Sequence, residues 1–184
     1  MLPHDEPFIN WEYTPYPYTR IYIKNKMADW ETNTNFCYEQ IFSDIKYHSK
    51  LLLDLIDMAL FDFITGNIDR HHYERISSLS KNSFLIHLDN GKSFIRADFD
   101  ELFILAPLKQ CCLIRYSTFN QMKYLYRNKF SKLLDKSLMV DSLYPILTIN
   151  HYEAVDRRLR IILNTVNECV ERYSPVQVVV DDGF

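Results

Sequence analysis

The chain has 184 residues, 47% of them hydrophobic and 15% aromatic, with 3 glycines and a formal charge of −3. This suits one domain, or one lobe of a larger one, with enough apolar side chains for a packed core, and it excludes intrinsic disorder. The small negative charge gives no case for nucleic-acid binding, and no apolar run is long enough to span a bilayer.

Residues 1–48 read as an extended N-terminal segment packed on the rest. Pro3, Pro7, Pro15 and Pro17 alternate with Tyr13, Tyr16, Tyr18 and Tyr22, which favours irregular extended backbone up to about residue 36. Trp11 and Trp30 are its expected packing anchors, and residues 37–48 form a short helix or loop. Met1 to Asp5 lack the basic-then-apolar pattern of a signal peptide. The abrupt start is read as that of a fragment or an incomplete gene model.

The second unit, residues 49–184, opens on the clearest helix, Ser49 to Thr65. Ser49 can cap it, and Leu52, Leu55, Ile56, Ala59, Leu60, Phe63 and Ile64 recur at helical spacing. Gly66-Asn67 stops it. Residues 67–82 are expected as a loop, exposed over Ser77 to Asn82, and Ser83 to Leu88 as a short strand. Asp89-Asn90-Gly91 is a turn after which Lys92 to Phe94 pair back. Helices follow at about 98–105, 107–114, 117–127, 129–140 and 150–173, the last with Asn150 and Glu153 as a capping pair. Arg157, Arg158 and Arg160 read as a solvated helix face, and Val176 to Val180 as a final extended segment. The fold class is therefore mainly α with a small β-hairpin.

Two acidic centres stand out. Asp69 lies in the loop after the apolar helix, and Asp89 follows the short strand, twenty positions on. Two carboxylates from separate loops suit phosphoryl transfer: one takes the proton of the attacking hydroxyl, the other holds the divalent metal that bridges the nucleotide phosphates. Protein kinases place a second metal ligand, Asn, five residues after the catalytic Asp; here Glu74 stands there. Two other readings use the same residues. In one, Asp69 and Arg70 are a loop ion pair, His71 and His72 are packing residues and Asp89 is a turn residue. In the other, Asp69, His71, His72, Glu74 and Asp89 form a hydrolytic metal site, although two adjacent histidines do not readily face one metal.

The four cysteines, Cys37, Cys111, Cys112 and Cys169, lack zinc-site spacing. They are either four buried thiols or two disulfides, with Cys111 and Cys112 pointing apart, one toward Cys37 and one toward Cys169.

Three segments carry a resemblance: GNIDRHHYE from Gly66, FLIHLDNGKSF from Phe84, and DELFILAPLKQCCLIRYSTF from Asp100. With HYEAVDRRLRIILNTVNECVER from His151, they make the chain similar to the C-terminal kinase domain of the Golgi secretory-pathway kinases. That family includes the Golgi casein kinase, an extracellular serine/threonine protein kinase, and the glycosaminoglycan xylosylkinase. The resemblance implies the C-lobe of an atypical kinase-like fold, with Asp69 catalytic and Asp89 binding metal and nucleotide. Glu74 enters as a second metal ligand by spacing only. It also implies disulfides Cys37–Cys111 and Cys112–Cys169, Mg or Mn with ATP as cofactors, and a secreted or Golgi-luminal glycoprotein. The implied partners are a secreted protein or proteoglycan substrate and a homodimer or heterodimer within the family.

Three functions follow from it: a kinase acting on serine of secreted proteins, a xylosylkinase, or a pseudokinase that activates a relative. Two departures matter. The N-lobe, with its glycine-rich loop and strand lysine, has no counterpart in this sequence, so the chain by itself is expected to be inactive. The branch marks also conflict. Phe84–Leu88, Gly91 and Asp156–Arg160 look like the protein-kinase branch, whereas Lys92–Phe94, Ile104–Pro107 and Ser117–Asn120 look like the xylosylkinase branch. Ile95 replaces a glycine expected in both.

Overall fold

A computed structural model describes residues 11–48, 50–76 and 85–181. In chain order it contains strand β1 (Trp11–Pro15), a short helix α1 (Asp29–Thr32), a π-helical turn at Cys37–Ile41 and a 3-10 turn at Ile45–Tyr47. The long helix α2 (Lys50–Thr65) and strand β2 (His72–Ile76) follow. After a 3-10 turn at Leu102–Leu105 come α3 (Ala106–Cys111), β3 (Ile114–Arg115), α4 (Tyr116–Arg127) and α5 (Phe130–Leu138). The chain closes with α6 (Ile149–Arg172), a helical turn α7 (Pro175–Val178) and β4 (Val179–Val180). β1 and β2 form an antiparallel pair with Tyr13 opposite Glu74, and β3 and β4 a parallel one. The fold is mainly helical with a small antiparallel element, as the sequence implies.

α2 is central because its apolar positions go all the way round. Leu55, Ile56, Met58, Ala59, Leu60 and Phe63 are each at most 1% exposed. Such a helix must be covered by protein on every side. α6 covers one side with Val155, Leu159, Ile162 and Val166, all at most 1% exposed. Each aliphatic side chain removed from water in this way contributes roughly 1.5–3 kcal/mol. The N-terminal residues Tyr16, Tyr18, Trp30, Cys37 and Ile41 join the same core. Arg115, itself buried, donates from Nε to Asp57 at 2.7 Å and also contacts Asp54, so the acidic positions of α2 are matched from β3.

Several expectations are corrected. Residues 11–15 are a strand rather than irregular, because β2 offers them a hydrogen-bonding edge. That edge lies within the expected loop at 67–82, of which residues 77–82 fall outside the described residues. The expected strand at 83–88 is reduced to a single bridge from Ile86 to Glu74, with residues 83 and 84 outside the description. Lys92 to Phe94 are turn, not strand. Residues 98–101 are irregular and only Leu102–Leu105 coil, and α3 stops at Cys111 because Cys112 adopts a left-handed φ of 50°. Pro175 to Val178 form a helical turn before the strand. Ser49, the expected cap of α2, is not described. α6 is capped at Thr148, not Asn150: the Thr148 N–H donates to Nδ1 of His151 at 3.3 Å.

Both disulfides are present, Cys37–Cys111 and Cys112–Cys169. Adjacent cysteines thus tie the end of α3 to the N-terminal segment on one side and to α6 on the other. Each closes a long loop, of 74 and 57 residues. In the chain-entropy account, restricting a loop of that size in the unfolded state contributes about 4 kcal/mol.

The expected solvated face of α6 is corrected in part: Arg160 is exposed, but Arg158 and Arg157 are drawn into the fold. Arg158 is 2% exposed and lies under the end of α2. It donates to Asp100 at 2.8 Å and to the carbonyls of Ile64, Arg96 and Phe99 at 3.1, 2.6 and 3.1 Å. Arg157 holds the same Asp100 at 2.6 and 2.8 Å. Burial acts to raise the Asp100 carboxyl, but hydrogen bonds and charge from the two arginines outweigh it and hold the group below its ordinary value. Asp100→Asn is expected to lower stability by about 3 kcal/mol, because a buried guanidinium loses its counter-charge. A depressed carboxylate stabilises above its unfolded-state value and loses that contribution as pH falls through the folded-state value. In denaturant titrations the gap between wild type and Asp100→Asn should therefore be full at neutral pH and close in acid, below the ordinary carboxylate range.

Candidate active site

The site is built on the last turn of α2. Gly66 ends the helix with φ of 73°, and a Cβ there would lie 2.8 Å from a nitrogen of the Arg158 guanidinium. Asp62, on the buried side of that last turn, is 1% exposed. A carboxylate so placed needs compensation, since an unpaired buried charge costs several kcal/mol. Arg70 supplies it in a fork, with Nε to one oxygen and Nη2 to the other, both at 2.8 Å. Asn67, 1% exposed, adds Nδ2 at 3.1 Å.

These partners also reach both acidic loops. Asn67 Nδ2 donates to the Asp89 carbonyl at 3.3 Å, while its Oδ1 accepts the Asp69 N–H at 3.3 Å. One amide therefore touches the backbone of both residues singled out in the sequence. Arg70 Nη1 donates to the Leu88 carbonyl and Nη2 to Oδ1 of Asn90 at 2.9 Å, on either side of Asp89. The stretch after Asp89 is fastened as well. The Phe94 N–H donates to the Thr65 carbonyl at 2.7 Å, and the Phe94 carbonyl meets Nε2 of His151 at 2.8 Å. Because His151 Nδ1 accepts from Thr148, this pattern assigns the ring proton to Nε2.

Neither acidic side chain is consumed by this network. The Asp69 side chain is 32% exposed, with His71 Nε2 3.2 Å from Oδ1. Tyr22, whose hydroxyl donates to the Ile68 carbonyl at 2.9 Å, has its pKa raised, first by burial and then by the Asp69 charge. Asp89 is exposed, has a left-handed φ of 53°, and its carboxylate has no hydrogen-bond or ion-pair partner among the described residues. A left-handed non-glycine residue costs roughly 1–2 kcal/mol, and the bonds around it hold it there.

The other candidates go elsewhere. Arg70 pairs with Asp62, not Asp69. Glu74 lies in β2, with its carboxylate 3.5 Å from His72 Nε2, and His72 stacks on Tyr13 at 4.4 Å between centroids. No three His, Cys, Asp or Glu side chains converge as a metal cage among the described residues, so the hydrolytic-metal reading finds no cluster to rest on. The sequence reading missed Asp62, Asn67 and Arg70 as site residues. The available signal was an aspartate in a helix apolar on all faces, which demands a cationic partner nearby.

Helical layers around a hydrophobic helix, with two loops presenting accessible carboxylates at its end, define a kinase-type C-terminal lobe. The family profile described as "Golgi casein kinase, C-terminal, Fam20" matches residues 1–178. This chain belongs to that kinase family. It is 45% identical over 169 residues to the extracellular serine/threonine protein kinase FAM20C of Homo sapiens, covering 90% of this chain and 29% of that protein. It is 42% identical over 171 residues to the pseudokinase FAM20A of Homo sapiens, covering 91% and 31%. The glycosaminoglycan xylosylkinase of Homo sapiens is 41% identical over 168 residues, covering 91% and 41%. The crystal structure of the Golgi casein kinase with Mn/ADP bound superposes with a TM-score of 0.91 at 38% identity, covering 96% of this chain and 43% of that one. The chain thus spans less than half the length of these relatives. No helix among the described residues is long and apolar enough to cross a membrane.

Asp62→Asn is expected to cost 3–5 kcal/mol or to loosen both loops, because it leaves the Arg70 charge uncompensated. Hydrogen exchange of the amides at 69 and 88–94 checks this: both segments should lose protection together, ahead of α2.

Proposed function

We propose that this chain carries the catalytic and metal-binding loops of a secretory-pathway kinase that transfers the γ-phosphate of ATP to serine of secreted proteins. The supporting observation is the Asp62–Arg70–Asn67 cluster, which joins the Asp69 and Asp89 loops while leaving both carboxylates accessible. Asp69 is the residue that takes the proton of the acceptor hydroxyl. Arg70, next to it, is committed to Asp62, which leaves the Asp69 carboxylate free to approach the acceptor hydroxyl.

The carboxylate of Asp89 fits a divalent cation of the Mg or Mn type, which is held by one or two carboxylates together with substrate phosphates rather than by an all-protein cage. When bound, such an ion bridges the phosphates and offsets charge developing on the transferred group. Glu74 receives no metal role in this reading, since its carboxylate faces His72. Two disulfides accord with folding in an oxidising compartment, the Golgi lumen or outside the cell. The xylosylkinase reading keeps the same site and draws support from Lys92–Phe94, Ile104–Pro107 and Ser117–Asn120. The pseudokinase reading is the less favoured, because both carboxylates are kept.

In the complete gene product, Asp69→Asn is expected to lower kcat by about 10²–10⁴ while leaving ADP binding with Mn intact. Asp89→Ala is expected to abolish both. A Ser-x-Glu peptide and a xylose-containing linkage glycan, each assayed with Mg and Mn, separate the two substrate readings, and transfer to neither overturns both. The 184-residue chain alone is expected to show no transfer, since these residues offer no glycine-rich loop and no strand lysine to grip the nucleotide.

A further inference from the structure

The net charge of −3 conceals an uneven distribution. Between Glu101 and Asp135 the sequence has no acidic residue, but it contains Lys109, Arg115, Lys123, Arg127, Lys129 and Lys132. Arg115 is used inside the protein, against α2. Of the others, Lys123 and Arg127 lie on α4, Lys129 and Lys132 at the start of α5, and Lys109 apart from them on α3.

On that face, α4 and α6 enclose an open groove of about 260 Å³. Phe119, Lys123 and Tyr126 line it from α4, and Arg160, Asn164 and Asn167 from α6. Each set follows a single helical stripe, with spacings of four and three residues. Lys123 Nζ rests 4.3 Å from the centroid of the Phe119 ring, and Tyr126 is 50% exposed. Lys123, Arg160 and neighbouring Arg127 form no ion pair among the described residues. Of the acids nearby, Asp156 is engaged by Ser131 at 2.9 and 2.6 Å, while Glu168 and Glu171 follow Asn164 and Asn167 by one turn, at the end of the groove away from Arg160.

We infer that this groove is a binding site for an anionic glycan, a chain carrying sulfate or uronate groups, separate from the Asp69 and Asp89 loops. Three chemistries meet there. Unpaired lysine and arginine supply charge to sulfate or carboxylate. The exposed ring of Tyr126 offers apolar surface to the C–H face of a pyranose ring. Two carboxamides can donate to and accept from sugar hydroxyls. An acidic polypeptide uses the first of these and has little need of the other two, so the combination favours the glycan. The inference does not depend on the kinase reading, because no groove residue belongs to either acidic loop.

The test is retention of the 184-residue chain on immobilised heparin, with chondroitin sulfate and polyglutamate as soluble competitors. Wild type should bind and elute with salt. Lys123→Gln with Arg160→Gln should weaken binding about tenfold or more, with unchanged melting temperature. Tyr126→Ala and Asn167→Ala should each weaken glycan binding several-fold. Asp69→Asn, on the other loop, should bind heparin as wild type does and show that a failed kinase reading leaves this one standing. Absence of retention at low salt, or equal retention by the double variant, overturns the site. Polyglutamate competing as well as chondroitin sulfate, with Tyr126→Ala neutral, overturns the glycan in favour of an acidic peptide.

Discussion

The site depends on one buried carboxylate. Asp62 lies inside the apolar surface of α2, and its charge is tolerated only because Arg70 and Asn67 return from the next loop to meet it. The desolvation penalty of the pair works as a constraint on geometry. Any conformation that withdraws Arg70 exposes Asp62 to a low-dielectric surrounding, at a cost of several kcal/mol. Since Arg70 and Asn67 also carry the bonds to Leu88, Asp89 and Asn90, the second loop is bound by the same requirement. The carboxylates of Asp69 and Asp89 stay accessible while Asp62 takes up the Arg70 guanidinium.

A second fastening acts one layer away. Asp100 is gripped by Arg157 and Arg158, and the Arg158 guanidinium ties the carbonyl of Ile64 to those of Arg96 and Phe99. This fixes the segment after the Asp89 loop against the end of α2. His151, at the start of α6, holds the Phe94 carbonyl within the same segment. The disulfides act on the far side, where Cys111 and Cys112 anchor α3 to two different elements. Charge thus positions the end that carries the two acidic loops, and covalent bonds position the opposite one.

Much of this was legible in the sequence, and the failures share a cause. Periodicity located α2 and α6 to within one or two residues, because each carries a long apolar stripe, and the expected bounds of α4 and α5 were as close. Motif spacing singled out Asp69 and Asp89. Strand β1 was invisible because its partner is some sixty residues away and a five-residue strand has no periodic signal strong enough to reveal it. Arg157 and Arg158 were misjudged because a charged run is ordinarily solvated, and only the three-dimensional position of Asp100 shows that Arg158 is enclosed. The partners of Asp62 were missed for a related reason: a lone aspartate in an apolar helix announces that a cation is needed but not which one. The basic groove was hidden by averaging, since an overall negative charge says nothing about one face.

The contact between Gly66 and Arg158 links two positions ninety-two residues apart. A methyl group on Gly66 and the guanidinium of Arg158 would claim the same space. A side chain at 66 would thus meet both this guanidinium and the strain of a φ of 73°, and a smaller residue at 158, which would make room, would abandon Asp100 and three carbonyls at once. The two sites are therefore constrained together: a change at 66 is opposed by backbone strain as well as by Arg158, and a change at 158 cannot relieve it. Mutational tolerance around this lobe should accordingly be low at the helix stop and at its distant arginine, and high on the exposed turns between them.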